Sequence, residues 1–238
     1  MYYGRELLSA AGRFGKKPAI LFKGRTITFD ELAADTMRLA NALAALGVRK
    51  GDRVATYLPN SPDFALAYTS VLTLGAVIVP IHYGARNELS VCLNHAEAKL
   101  LLTVREANAD YAALRAAVPS LTRIVFCEEE LRGLMDAASS EPPPDPGCAE
   151  DDPCSVFYTT GSTGRPKGVL WRLRHLDSAP MALRDFLGVD DRDVPLCAVP
   201  LSHTGGLVYL QECVSLGTTV VMLPSFSPPH FIEAAQAH

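Results

Sequence analysis

This 238-residue sequence predicts an α/β fold, with layered sheets, helices on both faces and largely parallel strands. Three observations carry that reading. From Arg53 onward, helix-spaced and strand-like runs alternate, the pattern that sets strands side by side with helices as crossovers. Hydrophobic residues make up 48% and charged residues 20%, too much apolar material and too little charge for a disordered chain. Between Asp63 and Arg86 there is no Asp, Glu, Lys or Arg, so a helix and a strand must lie deep inside.

The elements follow in order. Residues 18–22 and 25–28 are β-prone runs around Lys23-Gly24 and predict a hairpin. Thr28-x-x-Glu31 is a capping-box pattern. After it, Leu32, Leu39, Ala40, Leu43 and Leu46 recur at helical spacing, and Gly47 stands where a C-terminal cap belongs. Residues 53–58 predict a strand, and Pro59-Asn60-Ser61-Pro62 a turn with Pro62 at a first helical position. Helix 62–74 precedes strand 76–79, helix 86–96 precedes strand 99–104, and helix 106–117 precedes strand 122–126. A membrane span needs about 20 mainly apolar residues. Here Thr69, Ser70 and Thr73 dilute the run, Gly75 interrupts it and Pro80 would break it, so a buried helix and strand is the better reading.

Glu128-Glu129-Glu130 suits the first turn of a helix, where negative charge meets the dipole. The Pro-rich stretch from Glu141 to Gly147 reads equally as a domain linker or a surface loop. Strand 154–160, a Gly-rich loop, helix 174–187, strand 193–199, helix 205–216 and strand 218–223 come next. A last helix begins near Pro228-Pro229.

Charge and cysteine usage exclude several classes. The net charge is −4, whereas a nucleic-acid footprint is normally basic. The six cysteines are scattered with no C-x-x-C pair, so no disulfide scaffold is expected and the cytoplasm is the expected compartment. The opening residues lack the basic-then-apolar pattern of a signal peptide, and no transmembrane segment is expected. Asp190, Asp191 and Asp193 lack the spacing and glycine of a calcium loop and read as a solvated acidic turn, so no metal ligands are assigned. Ser202 beside His203 is not embedded in a G-x-S-x-G elbow, which argues against a hydrolase.

One segment carries chemistry. Tyr158-Thr159-Thr160-Gly161-Ser162-Thr163-Gly164-Arg165-Pro166-Lys167-Gly168 follows an apolar strand and concentrates hydroxyls, glycines and a lysine. Glycines at positive φ let successive N–H groups converge on an anion, and Thr159, Thr160, Ser162 and Thr163 add donors for phosphate oxygens. Pro166 stiffens the turn, and Lys167 supplies a mobile positive charge. It is not a Walker A loop, since no Gly-Lys-Ser/Thr stands four residues after Gly161. Composition alone leaves a solvated turn-rich loop in contention.

Order and spacing decide it. The segment closely resembles the phosphate-binding signature of adenylate-forming enzymes, which include acyl-CoA synthetases, aryl-CoA ligases, luciferases and peptide-synthetase adenylation domains. Only Thr160, in place of the usual Ser, departs from that signature, and it keeps the hydroxyl. Downstream, Pro200-Leu201-Ser202-His203-Thr204-Gly205-Gly206-Leu207 resembles the Pro-Leu-x-His-x-x-Gly segment of the acyl-CoA synthetase branch. Segments 28–32, 47–54 and 75–80 also follow the family's order, so the resemblance covers essentially the whole chain. The family's Thr-His pair after the loop is missing, because Val169-Leu170-Trp171-Arg172 stands there. Trp171 and Arg172 either reshape the pocket behind the phosphates or pack as ordinary strand residues.

The resemblance implies the incomplete N-terminal domain of an adenylate-forming enzyme. Residues 50–187 would form one α/β lobe carrying the phosphate loop, and 1–49 with 188–238 part of a second. It implies an AMP-forming acyl-CoA synthetase using ATP, Mg2+ and coenzyme A on a small carboxylic acid, fatty or aryl. Thr159, Thr160, Gly161, Ser162, Thr163, Gly164 and Lys167 would hold the phosphates, with Lys167 as the catalytic cation. His203 and Gly205 would line the carboxylate pocket beside that loop, across a cleft between the lobes. The family's later glutamate, ribose-binding aspartate and catalytic lysine have no counterpart here, so these residues alone are expected not to turn over. Unpaired strand edges in the second lobe would favour self-association. The alternatives are a non-catalytic nucleotide- or phosphate-binding module on the same fold, or another adenylating branch.

Overall fold

The computed structural model describes residues 3–159 and 166–238. It opens with α1 (Tyr3–Phe14), which the sequence reading above does not foresee; Tyr3, Leu7 and Ala10 form its buried face. β1 (Pro18–Phe22) and β2 (Arg25–Thr28) pair antiparallel as the expected hairpin. α2 (Phe29–Ala45) begins with the complete capping box: the Thr28 hydroxyl accepts the Glu31 N–H at 3.2 Å, and the Glu31 carboxylate accepts the Thr28 N–H at 2.8 Å. β3 (Arg53–Tyr57) leads through the Pro-flanked turn into α3 (Pro62–Thr73), where Ser61 caps the Phe64 N–H. β4 (Val77–Pro80), α4 (Arg86–His95) and β5 (Leu100–Thr103) fall within a residue or two of expectation.

Three elements differ from expectation, each for a local reason. α5 (Tyr111–Ala117) starts late, because Asp110 caps it by accepting the Ala113 N–H at 2.8 Å. β6 (Arg123–Phe126) is followed by a π-helical turn, Cys127–Leu131, running into α6 (Arg132–Asp136). β7 (Pro153–Thr159) and β8 (Lys167–Arg172) precede a 3-10 turn, Leu173–His175, and then α7 (Ser178–Ala182) with a π-helical turn, Leu183–Leu187. A continuous helix 174–187 is impossible because Pro180 has no N–H and fits only a first helical turn. β9 shrinks to Leu196–Cys197, since Pro195 cannot donate to a ladder. α8 (Thr204–Leu216), β10 (Val220–Met222) and α9 (Pro228–Ala237) complete the order.

The strands form a four-stranded sheet, β2-β1-β10-β9, and a six-stranded sheet, β6-β5-β3-β4-β7-β8. Apart from the β1–β2 and β7–β8 hairpins, the pairings are parallel. One core joins the two sheets. Ile20, Val220 and Met222 of the smaller sheet share it with Val54, Ile78 and Leu100 of the larger, through residues of α1, α2, α3 and α8. The alternate strand residues Ala55, Tyr57, Val79 and Leu101 point the other way, onto α4. The larger sheet therefore carries helices on both faces, as the sequence predicts.

Central placement explains the uncharged run. All but one of the residues of α3 are buried, so no face of it can carry charge. Its hydroxyls find partners within the helix layer: Thr36 and Thr69 hydroxyls pair at 2.7 Å, and Ser70 donates to the Thr36 carbonyl at 3.0 Å. No described helix is long and apolar enough to cross a membrane.

Glu212 on α8 gives the fold a pH dependence. It is buried, and loss of hydration raises its carboxyl to about 7, with the Asp193 charge adding to the effect. The folded state thus keeps a proton that the unfolded chain releases near 4.5. Its contribution is full below that pH and is lost as pH rises to about 7. Glu212→Gln should flatten this slope and raise stability at pH 8 by up to about 3 kcal/mol. Urea unfolding of both proteins at pH 5 and pH 8 checks it; an unchanged difference between the two pH values would refute it.

Candidate active site

β7 and β8 are the two arms of a hairpin, with Thr159 opposite Lys167 at the end where the connecting segment joins them. The Gly-rich segment therefore connects one β-strand, β7, to another, β8. Thr160, Gly161, Ser162, Thr163 and Gly164 lie outside the described residues. Thr159 and Lys167 are both exposed. Because β7 runs parallel to β4, the loop leaves the sheet at the carboxyl ends of its strands, where open α/β sheets bind ligands.

The root of the loop is fastened from below. Tyr158 donates from its hydroxyl to the Cys92 carbonyl at 3.1 Å and lies 2.8 Å from His95 Nδ1. Burial pushes this phenol up to about 12, so it stays protonated in use. Gly168 runs close to this pair. A Cβ there would stand 3.1 Å from Val156 Cγ1 and within 3.6 Å of the His95 and Tyr158 rings. Trp171 settles as strand packing, edge-on to Phe157 with ring centroids 5.2 Å apart.

His203 is exposed and caps α8, with Nδ1 accepting the Gly205 N–H at 3.2 Å. It is thus in no closed core. Gly205 is exposed, and an added Cβ would meet only the His203 ring at 3.5 Å. The neighbouring Gly206, the closing glycine of the Pro-Leu-x-His-x-x-Gly segment, is the sterically demanding residue. A Cβ there would sit 2.2 Å from the Pro200 carbonyl oxygen.

The carboxyl ends of the two sheets meet beside this segment. A cleft of about 240 Å3 is lined by Leu58, Asn60, His82, Tyr83, Ser202 and Phe226, among others. His82 Nδ1 and the Ser202 hydroxyl face each other across it at 3.4 Å. A larger cavity, about 660 Å3, lies between the β1–β2 hairpin, β10 and α9. It holds none of the motif residues, and α9 contributes no buried residue to close it. The smaller cleft takes Pro200 and Ser202 from the motif segment, and neither cavity is lined by Thr159, Lys167, His203 or Gly205. The acidic turn at 190–193 is occupied with itself: Arg192 holds the Asp190 carboxyl down at about 2.

This fold is that of the N-terminal domain of adenylate-forming enzymes. The chain belongs to the AMP-binding enzyme family, whose model matches residues 7–238. It is 31% identical over 204 residues to the long-chain-fatty-acid–CoA ligase FadD13 of Mycobacterium tuberculosis, covering 84% of this chain and 40% of that protein. It is 35% identical over 223 residues to feruloyl-CoA synthase of an Amycolatopsis species, covering 92% of this chain and 43% of the relative. Among solved structures, the inhibitor-bound N-terminal domain of FACL13 from Mycobacterium tuberculosis matches with a TM-score of 0.90 at 27% identity. That match covers 99% of this chain and 61% of the other. O-succinylbenzoate coenzyme A synthetase from Bacillus subtilis, solved in complex with AMP, gives 0.83 at 27% identity, covering 98% and 47%. The chain spans about two fifths of the length of these curated relatives.

Proposed function

We propose that the chain contributes the phosphate- and carboxylate-binding part of an AMP-forming acid–thiol ligase. A substrate carboxylate attacks the α-phosphate of Mg-ATP, giving acyl-AMP and pyrophosphate; coenzyme A then displaces AMP to form a thioester. The observation that carries this reading is the signature segment itself, whose flanking residues Thr159 and Lys167 pair across β7 and β8 at the carboxyl end of the larger sheet. A carboxylate is already ionised at neutral pH, so the first step needs no general base. The obstacle is the approach of two anions, which positioning and charge neutralisation overcome. Thr159, Thr160, Gly161, Ser162, Thr163 and Gly164 supply N–H and hydroxyl donors to the β- and γ-phosphates, and Lys167 neutralises charge as pyrophosphate leaves. His203 and Gly205 border the acid. On this reading residues 50–187 form one lobe, and 1–49 with 188–238 contribute to the other. The relatives' names point to fatty or aryl acids as the substrate class.

ATP–pyrophosphate exchange with a panel of fatty and aryl acids, run on the complete gene product, tests the proposal. Acid-dependent exchange supports it, while nucleotide binding without exchange for any acid would favour a non-catalytic module. His203→Ala should lower exchange about 10-fold or more while shifting the thermal midpoint little, since the side chain is exposed. Equal loss of stability and exchange would leave His203 only its capping role.

A further inference from the structure

We propose that Asn60 is a positioning residue, a clamp that sets the carboxylate-binding segment 199–203 against the sheet bearing the phosphate loop. The inference rests on the function proposed above and adds a residue that the signature motifs do not contain.

Asn60 sits in the turn between β3 and α3, held between Pro59 and Pro62, and is only 6% exposed. Its side chain leaves its own sheet entirely. Nδ2 donates to the Val199 carbonyl at 2.8 Å and to the Leu223 carbonyl at 3.1 Å, while Oδ1 accepts the Leu201 N–H at 2.7 Å. No other orientation of the amide satisfies one donor and two acceptors, so the network fixes it. Val199 and Leu201 follow β9, and Leu223 follows β10. One buried amide therefore ties the carboxyl end of a central strand in the larger sheet to two strand ends in the smaller.

The segment it grips leads directly to His203. From Leu201, the chain passes Ser202 to the His203 cap, and the His203 N–H returns to the Pro200 carbonyl at 3.0 Å. A cross-sheet contact at Ser202 adds little restraint, since His82 stands 3.4 Å away with both side chains partly in solvent. The phosphate loop is rooted independently, by the bonds of Tyr158 on β7 to Cys92 and His95 on α4. Asn60 is thus placed to set the acid relative to the phosphates without touching either.

That separation yields a distinctive kinetic signature. In Asn60→Ala, the KM for the acid should rise about 10-fold and kcat for adenylation should fall by about 10-fold or more, because misplacing a reacting group by about 1 Å is costly. The KM for ATP should stay within about threefold, its root being intact. Exchange of the Leu201 amide hydrogen should accelerate. Leu7→Ala, a buried truncation in α1 away from the cleft, serves as a control of matched thermal midpoint and should leave both KM values unchanged. If Asn60→Ala does not accumulate folded, Asn60→Asp takes its place. It is isosteric and keeps the acceptor for Leu201 but has no donors for the two carbonyls, so the same split is expected. Unchanged acid KM in a folded Asn60 variant, or an equal shift in Leu7→Ala, overturns the clamp while the proposed activity stands. Absence of exchange in the parent with every acid overturns both.

Discussion

Gly206→Ala should destabilise the protein by at least about 3 kcal/mol, more than any single truncation of an exposed site residue. The added Cβ would lie 2.2 Å from the Pro200 carbonyl oxygen, 2.7 Å from its carbon and 2.8 Å from Leu201 Cα. These are backbone atoms, and they cannot swing aside as a side-chain tip would. Leu201 is moreover held by Asn60, so relief on that side would break a buried hydrogen bond. Gly205→Ala, one residue earlier, should cost under about 1 kcal/mol, because only the flexible His203 ring stands within reach. Urea denaturation of the two variants side by side gives the comparison. A Gly206→Ala protein within about 1 kcal/mol of the parent would mean the α8 N-terminus lies farther from Pro200 than described.

Lys167→Ala should lower acid-dependent ATP–pyrophosphate exchange by about 100- to 1000-fold, the usual effect of losing one aimed donor to developing charge. Stability should change by less than about 0.5 kcal/mol, because the side chain is exposed at the first residue of β8. The combination is informative: an intact fold without exchange assigns the lysine to the phosphates. Exchange reduced by less than about threefold would remove Lys167 from the mechanism.

What the sequence makes legible is whatever short-range chemistry decides. The Thr28–Glu31 box, the Pro62 start of α3 and the Lys23-Gly24 turn each depend on neighbours within a few residues, and each forms as read. The loop from Thr159 to Lys167 is legible as a connection between strands because its signature ends where apolar alternation resumes. α1 escapes notice although Tyr3, Leu7, Ala10 and Phe14 recur at helical spacing, since no capping residue marks its start. The breaks at Pro180 and Pro195 were available from proline chemistry but are hidden by the longer apolar patterns around them. Asn60 and Gly206 are of another kind. The partners of Asn60 lie 139, 141 and 163 residues away, and the crowding at Gly206 exists only once α8 folds back over Pro200. No local pattern encodes the Asn60 contacts, and the segment from Pro200 marks a glycine at 206 without showing what crowds it.

The pairing of β1 with β10 also bears on how the chain is made. Ile20 stands opposite Val220, so β1 waits for a partner translated two hundred residues later. During that interval the hairpin has an open edge, and α3, buried almost all round in the finished fold, has no second sheet to cover it. Such long-range closure is slow and exposes sticky surface meanwhile. Synthesis of this chain should therefore be sensitive to elongation rate and chaperone supply, and substitutions that weaken β10 should show first as lost soluble yield.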